Sequence, residues 1–257
     1  MPSNLVVTAH DLVVMLDKLL LDKLQDYRQD QWLEHQGQWW DRLYSNRHRQ
    51  VPPDRQIPFF VDWPDESLVA YFESGELGSG TVLELGCGNG RNAQYFASQG
   101  CHVDAVDFSR EAIAWAMEKN NYSDQTINYL CQSIFELDIR KPKYDIVYDS
   151  GCFHHLPPHR RWSYLELLKT ALKPTGRFAL VCFTPDGGSR LSDFDVYEKW
   201  KLADDRGVGL SYTSSQLREV FSRSFEILSL RKMEETPPDQ KIFGKDVLWT
   251  ALMKPLP

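Results

Sequence analysis

The sequence predicts an α/β fold: a seven-stranded, mostly parallel sheet with helices on both faces and a terminal antiparallel hairpin strand. Three observations predict it. From residue 81 onward, short apolar runs alternate with stretches of helical period, the rhythm of strand–helix units that bury a parallel sheet on both sides. The first of those runs ends in a glycine-rich turn, Gly86-Cys87-Gly88-Asn89-Gly90. The last two apolar runs follow each other with no helix between them, which is how antiparallel neighbours are joined.

The elements follow in order. Leu12, Val13, Leu16, Leu19, Leu20 and Leu24 recur at three- and four-residue spacing, as on one face of a helix. The stretch 31–44 reads as a second helix, rich in rings: Trp32, Trp39, Trp40 and Tyr44. Pro52, Pro53 and Pro58 then break the chain. Pro64, Asp65 and Glu66 mark a helix start, with acids near its positive end, and that helix stops at Gly75. Strands are predicted at 81–85, 102–106, 126–131, 144–148, 177–183, 225–231 and 246–253. Helices fill 92–99, 110–119, 161–172 and 216–221, with Ser109 and Thr213 as caps. Glycines at 187, 188, 207 and 209 interrupt the rhythm over 184–210, which reads as an insertion with a short helix at 196–202. Residues 1–75 are thus expected to form a helical, aromatic-rich lid or cap, and residues 76–257 the α/β domain.

Composition removes several function classes. The chain has 257 residues, with 29 Lys and Arg against 36 Asp and Glu, a net charge of −7. A negative chain is poorly suited to nucleic acid or to anionic membranes. The basic clusters Arg47-His48-Arg49 and His159-Arg160-Arg161 are too short for a nucleic-acid footprint. No apolar run approaches the ~18–20 residues needed to span a bilayer, and the start shows no basic region before a long apolar stretch. Cys87, Cys101, Cys131, Cys152 and Cys182 are odd in number and lack CxxC spacing, so free thiols in a reducing compartment are expected. A cytoplasmic location, no membrane or nucleic-acid partner and no metal site follow as expectations.

The glycine turn and the acid beyond it carry the chemistry. Glycines at a strand-to-helix turn let backbone approach a ligand closely. Asp107 ends the second strand, 21 residues after Gly86, where a carboxylate can accept both hydroxyls of a ribose. Arg91 occupies the position where a dinucleotide fingerprint needs its third glycine, and no phosphate-loop GxxxxGK[ST] is present. Glu84, just before the glycines, is awkward beside a phosphate and suits a ligand with a cationic amino group.

These residues resemble the class I S-adenosylmethionine-dependent methyltransferases, a Rossmann-like family. Glu84-Leu85-Gly86-Cys87-Gly88-Asn89-Gly90 is similar to the family's first motif, and Asp107 to its ribose-binding acid. Asp145–Asp149 resembles the fourth-strand motif, and Leu172–Phe178 the turn into the fifth strand. The resemblance covers residues 81–183, and the hairpin at 225–253 agrees with the family's strand order. It implies S-adenosyl-L-methionine as cofactor, with S-adenosyl-L-homocysteine as product. It implies a donor site of Glu84, Gly86, Gly88, Gly90, Asp107, Phe108, Ser133, Ile134 and Asp149. Ser133 departs from the family, which commonly has Asp there to contact adenine. Within the family, Trp39–Tyr44, Pro58-Phe59-Phe60 and Cys152–Arg161 resemble the thiopurine, halide and tellurite methyltransferase group.

Methyl transfer from a sulfonium depends mainly on alignment. A base serves only acceptors that must lose a proton, and His155 and His154, after the fourth strand, are the candidates. Trp40, Tyr44, Phe60, Phe153 and Arg160 are the candidate acceptor-binding residues. The expected function is methyl transfer to a small-molecule acceptor by in-line displacement. Three alternatives stand beside it: a catalytically silent nucleotide-binding scaffold acting through a protein partner, a protein or nucleic-acid methyltransferase, and an NAD-linked oxidoreductase, which Arg91 and the missing second mononucleotide half disfavour.

Overall fold

The computed structural model describes residues 9, 12, 13, 16, 32–48, 57–120, 126–193, 195 and 209–257. Seven strands form one sheet: β1 Thr81–Leu85, β2 His102–Asp107, β3 Ile127–Cys131, β4 Tyr144–Ser150, β5 Leu172–Phe183, β6 Phe225–Lys232 and β7 Leu248–Pro255. Their order across the sheet is β3-β2-β1-β4-β5-β7-β6. Every pair is parallel except β5–β7 and β6–β7. The hairpin strand of the sequence reading is therefore β7, slotted antiparallel between β5 and β6.

Alternation along each strand divides the interior in two. Leu83 and Leu85 of β1 join Val147, Phe178 and Leu180 in one cluster, while Val82 joins Ile146, Tyr148, Ala179 and Val181 in the other. Helices α5 (Arg161–Ala171) and α6 (Ser214–Phe221) bury Tyr164, Leu168, Leu217 and Phe221 in the first. Helices α2 (Glu66–Glu73), α3 (Arg91–Ser98) and α4 (Arg110–Glu118) bury Leu68, Phe96 and Ile113 in the second. The local signals hold where capping chemistry sets them. The Ser109 hydroxyl accepts from the Ala112 N–H at 3.1 Å, and Thr213 makes a capping box with Gln216.

Strand β5 begins five residues earlier than the sequence indicates. Pro174 and Gly176 do not end the pairing. Tyr144 faces Leu172 and Ile146 faces Arg177, so residues 173–176 bulge out of a continuing ladder.

Helix α1 (Trp32–Ser45) lies against α4. Polar contacts fasten this front segment to the sheet domain. Asp41 accepts from the Ser109 hydroxyl at 2.7 Å, Arg47 pairs with Glu111 and Glu118, and Lys119 pairs with Asp62. Leu12, Val13 and Leu16 are helical. Leu19, Leu20, Leu24, the Trp32 side chain, and the helix expected at 196–202 lie outside the described residues. Among the described residues no helix is long and apolar enough to cross a membrane.

Candidate active site

Four loops meet beyond the carboxyl ends of the strands, the edge where open α/β sheets take ligands. The first is the glycine loop. Gly86, Gly88 and Gly90 have φ of 69°, 55° and 75°, a region that side chains rarely adopt. Space is closed to a side chain as well. A Cβ on Gly86 would stand 2.8 Å from the Cys152 Cβ, and one on Gly88 would stand 2.7 Å from the Tyr44 hydroxyl.

Asp107 braces that loop. One carboxylate oxygen accepts from the Gly88 N–H and the other from the Ser109 N–H, both at 2.9 Å. Burial pushes its carboxyl up to about 6, against those backbone hydrogen bonds, which pull it down. Phe108, half exposed, packs its ring against Gly37 of α1. Helix α1 thus meets the edge of the sheet where Asp107 stands.

Glu84 is the electrostatic oddity. It points to the same side of the sheet as Val82 and is 1% exposed, yet its Oε2 has no hydrogen-bond partner. Burial pushes its carboxyl up to about 8. Arg91 pulls it down, and Asp65 and Asp107 push it up. An unpartnered buried carboxyl oxygen is costly, so a cationic group would be strongly favoured there.

Several expected site residues are used differently. Asp149 is fully buried and turned into its own loop: its carboxylate accepts from the Cys152 and Phe153 N–H groups and from the Tyr164 hydroxyl at 2.6 Å. The Ser133 hydroxyl accepts from the Phe135 N–H in the capping box of the turn Ile134–Glu136, with Ile134 buried behind it. Phe153 is corrected outright. It is 0% exposed and packs on Tyr164, Tyr212 and Phe221 with ring centroids 5.0–5.2 Å apart, so it is core and not a pocket wall. The Arg160 guanidinium lies over the Phe135 ring at 4.6 Å.

The two histidines differ. His154 is buried, stacked on Phe183 at 4.1 Å, and has an unpartnered Nδ1. His155 stands edge-on to Trp40 at 4.9 Å. Burial lowers the first well below its ordinary value and the second to about 4, so both imidazoles are neutral at pH 7. A continuous row of rings results. It runs Phe60, Tyr44, Trp40, His155, His154 and Phe183, with successive centroids 5.2, 6.0, 4.9, 4.4 and 4.1 Å apart. The sequence reading named Trp40, Tyr44 and Phe60 as acceptor-binding candidates, and in the structure their rings lie in one row with His155.

Sequence reasoning missed a buried polar cluster beside the glycine loop. Asp65, read as a dipole-facing acid, makes no side-chain cap. It is 0% exposed and accepts from Arg91 Nη2 at 2.6 Å, Asn92 Nδ2 at 3.0 Å and the Tyr148 hydroxyl at 2.6 Å. Arg91 also donates to the Trp63 carbonyl at 2.9 Å and lies over the Phe243 ring at 4.6 Å. Asn89 donates to the Val61 carbonyl at 3.0 Å. Only the two charges were visible in the sequence, and their separation of 26 residues gave no sign of pairing.

Comparison with known proteins agrees with this geometry. Residues 82–176 match the methyltransferase-domain family. An uncharacterised methyltransferase of Schizosaccharomyces pombe is 30% identical over 122 residues, which is 48% of this chain and 84% of that one. A probable thiol methyltransferase of Arabidopsis thaliana is 26% identical over 148 residues, 55% of this chain and 65% of that one. Among solved structures, the 1,6-didemethyltoxoflavin-N1-methyltransferase of Burkholderia thailandensis, with bound 1,6-didemethyltoxoflavin and S-adenosylhomocysteine, superposes with a TM-score of 0.59. It is 21% identical and covers 90% of this chain and 92% of its own.

Proposed function

The chain belongs to the class I S-adenosylmethionine-dependent methyltransferases, and from that premise we propose that it transfers the donor's methyl group to a small-molecule acceptor by in-line displacement. The observation that carries this reading is the buried, unpartnered oxygen of Glu84 beside three left-handed glycines. A donor with an α-ammonium satisfies that oxygen, and a loop without side chains at its glycines lets backbone approach the donor closely. The residues therefore fit the group.

S-adenosylmethionine, when bound, supplies a methyl already activated by the sulfonium charge. The protein's work is binding and alignment. In this reading Glu84 takes the ammonium, Asp107 accepts the ribose hydroxyls, and Phe108 and Ile134 flank the adenine. Ser133 has spent its hydroxyl on a cap, so backbone at 133–135 is left to hold the adenine edge. Trp40, Tyr44 and Phe60 roof the site and exclude water. His155, neutral and set against Trp40, lines the acceptor side. Burial lowers it to about 4 in the empty site, too weak a base for proton removal. It therefore serves to position an acceptor that is already deprotonated or needs no base. The relatives support a small acceptor: one is named for thiols, and the Burkholderia enzyme holds 1,6-didemethyltoxoflavin. Residues 1–75 act as the cap in this proposal. The free cysteines suit a cytoplasmic setting.

Calorimetric titration with S-adenosylmethionine and S-adenosylhomocysteine, with NAD as control, tests the donor site. Wild-type protein is expected to bind both sulfur ligands and not NAD. Asp107→Ala is expected to weaken binding by about 10-fold or more, ~1.4 kcal/mol. Equal binding by a folded variant would take Asp107 out of the site. Turnover of a panel of thiols, phenols and ring N–H compounds then identifies the acceptor atom, and turnover only of protein or nucleic acid would reject the small-molecule reading.

A further inference from the structure

We propose that Asp65 is a positioning residue of the donor site: it holds the Arg91 guanidinium away from Glu84, so that the Glu84 carboxyl stays open to the donor's ammonium. The inference rests on the donor-site reading given above and adds to it a residue outside the glycine motif.

The argument begins with a count of charges. Three carboxyls, Asp65, Glu84 and Asp107, are each less than one-tenth exposed, and one guanidinium, that of Arg91, is buried among them. A buried guanidinium takes a carboxylate partner wherever one is in reach, because its planar fork matches the carboxylate geometry. Glu84 stands in register with Tyr148 of β4, whose hydroxyl bonds Asp65, and the Arg91 charge pulls the Glu84 carboxyl down. Yet Glu84 keeps a bare oxygen, and the guanidinium bonds to Asp65. Something makes Asp65 the better partner.

The surroundings of Asp65 explain why. Its carboxylate is held independently of Arg91, by the Tyr148 hydroxyl from β4 and by Asn92 from α3. Its own N–H donates to Asn92 Oδ1 at 3.0 Å. The segment is held on both sides: the Glu66 N–H donates to the Phe243 carbonyl and the Phe243 N–H to the Pro64 carbonyl, each at 2.8 Å. The rest of the guanidinium is held by the Trp63 carbonyl, by Ser150 Oγ at 3.3 Å and by the Phe243 ring. Asp65 thereby takes up the Arg91 charge and leaves Glu84 uncompensated. The bonds that hold Arg91 come from the front segment, from β4 and from the loop before β7. The electrostatics of the donor site are thus set by residues far from the glycine motif in sequence.

A double-mutant cycle on binding separates this role from simple structural support, because a residue acting through Glu84 loses its effect when Glu84 is gone. The affinity for S-adenosylhomocysteine is measured for wild type, Asp65→Asn, Glu84→Gln and the double variant, with thermal melts confirming that each is folded. Both single variants are expected to bind about 10-fold more weakly or worse. Adding Asp65→Asn to Glu84→Gln is expected to cost less than about threefold more. Losses that multiply, or an Asp65→Asn variant within threefold of wild type, overturn the inference. If Asp65→Asn does not fold, Tyr148→Phe carries the same test without removing a charge. It is expected to weaken binding about threefold in the native background and not at all on Glu84→Gln, and equal losses in both backgrounds overturn the inference. Failure of the wild type to bind would overturn the donor-site reading and this inference together, whereas wild-type binding with multiplying losses overturns the inference alone.

Discussion

The affinity for S-adenosylhomocysteine is expected to rise about 50-fold between pH 6 and pH 8, with about one proton released per ligand bound at the lower end. The cause is Glu84. Its carboxyl lies at about 8 in the empty site, raised from 4.5 by burial first and by Asp65 and Asp107 next. An ammonium favours the ionised form, so below about pH 8 binding must first expel a proton, and a one-proton linkage gives about 10-fold per pH unit. Asp107, raised to about 6, steepens the slope further below that pH. Titration in two buffers of different ionisation heat reads the proton directly. Glu84→Gln is expected to remove the linkage above pH 6.5, and a wild type with no proton release would remove the role given to this carboxyl. The same group bears on stability with a definite sign. An acid whose pKa is higher folded than unfolded binds its proton more tightly in the native state. The empty protein is therefore expected to lose stability as pH rises from about 4.5 to about 8, and Glu84→Gln to flatten that decline.

Phe153→Ala is expected to destabilise the fold by about 3–5 kcal/mol, the cost of emptying a fully buried aromatic site. The melting midpoint should fall by about 6–20 °C for a chain of this size. Phe153 lies among Tyr164, Tyr212 and Phe221, with no exposed surface, so Leu, which keeps most of the volume, should cost less than half as much. Donor binding by Phe153→Ala, measured well below its melting midpoint, should stay within about threefold of wild type. A variant as stable as wild type but with changed acceptor preference would return Phe153 to the pocket wall.

These cases show where the sequence is readable. Strands, the glycine loop, and the caps Ser109 and Thr213 depend on neighbours a few residues away, and period and residue type reveal them. The row Trp40, Tyr44 and Phe60 could be named because its rings are dense in sequence. Phe153 misled because one strand end carries both pocket and core positions: His155 faces Trp40, whereas Phe153, two residues earlier, turns under the sheet edge. Asp65 was the hardest. Its partners Arg91, Asn92 and Tyr148 lie 26, 27 and 83 residues away, and only the folded chain shows that the acid before one helix is the counter-ion of the arginine that starts another.

Strand β7 has a consequence for assembly. It is made after β6 but sits inside it, pairing with β5 on one side and with β6 on the other. Strand β6 touches the sheet through β7 alone, so until Leu248–Pro255 is in place, Phe225–Lys232 has no ladder to join. The outer edge therefore depends on β7 as a unit. A lesion in β7 would release two strands at once, together with the loop through Phe243 that rests on Arg91. The damage would reach the donor site from the opposite end of the chain.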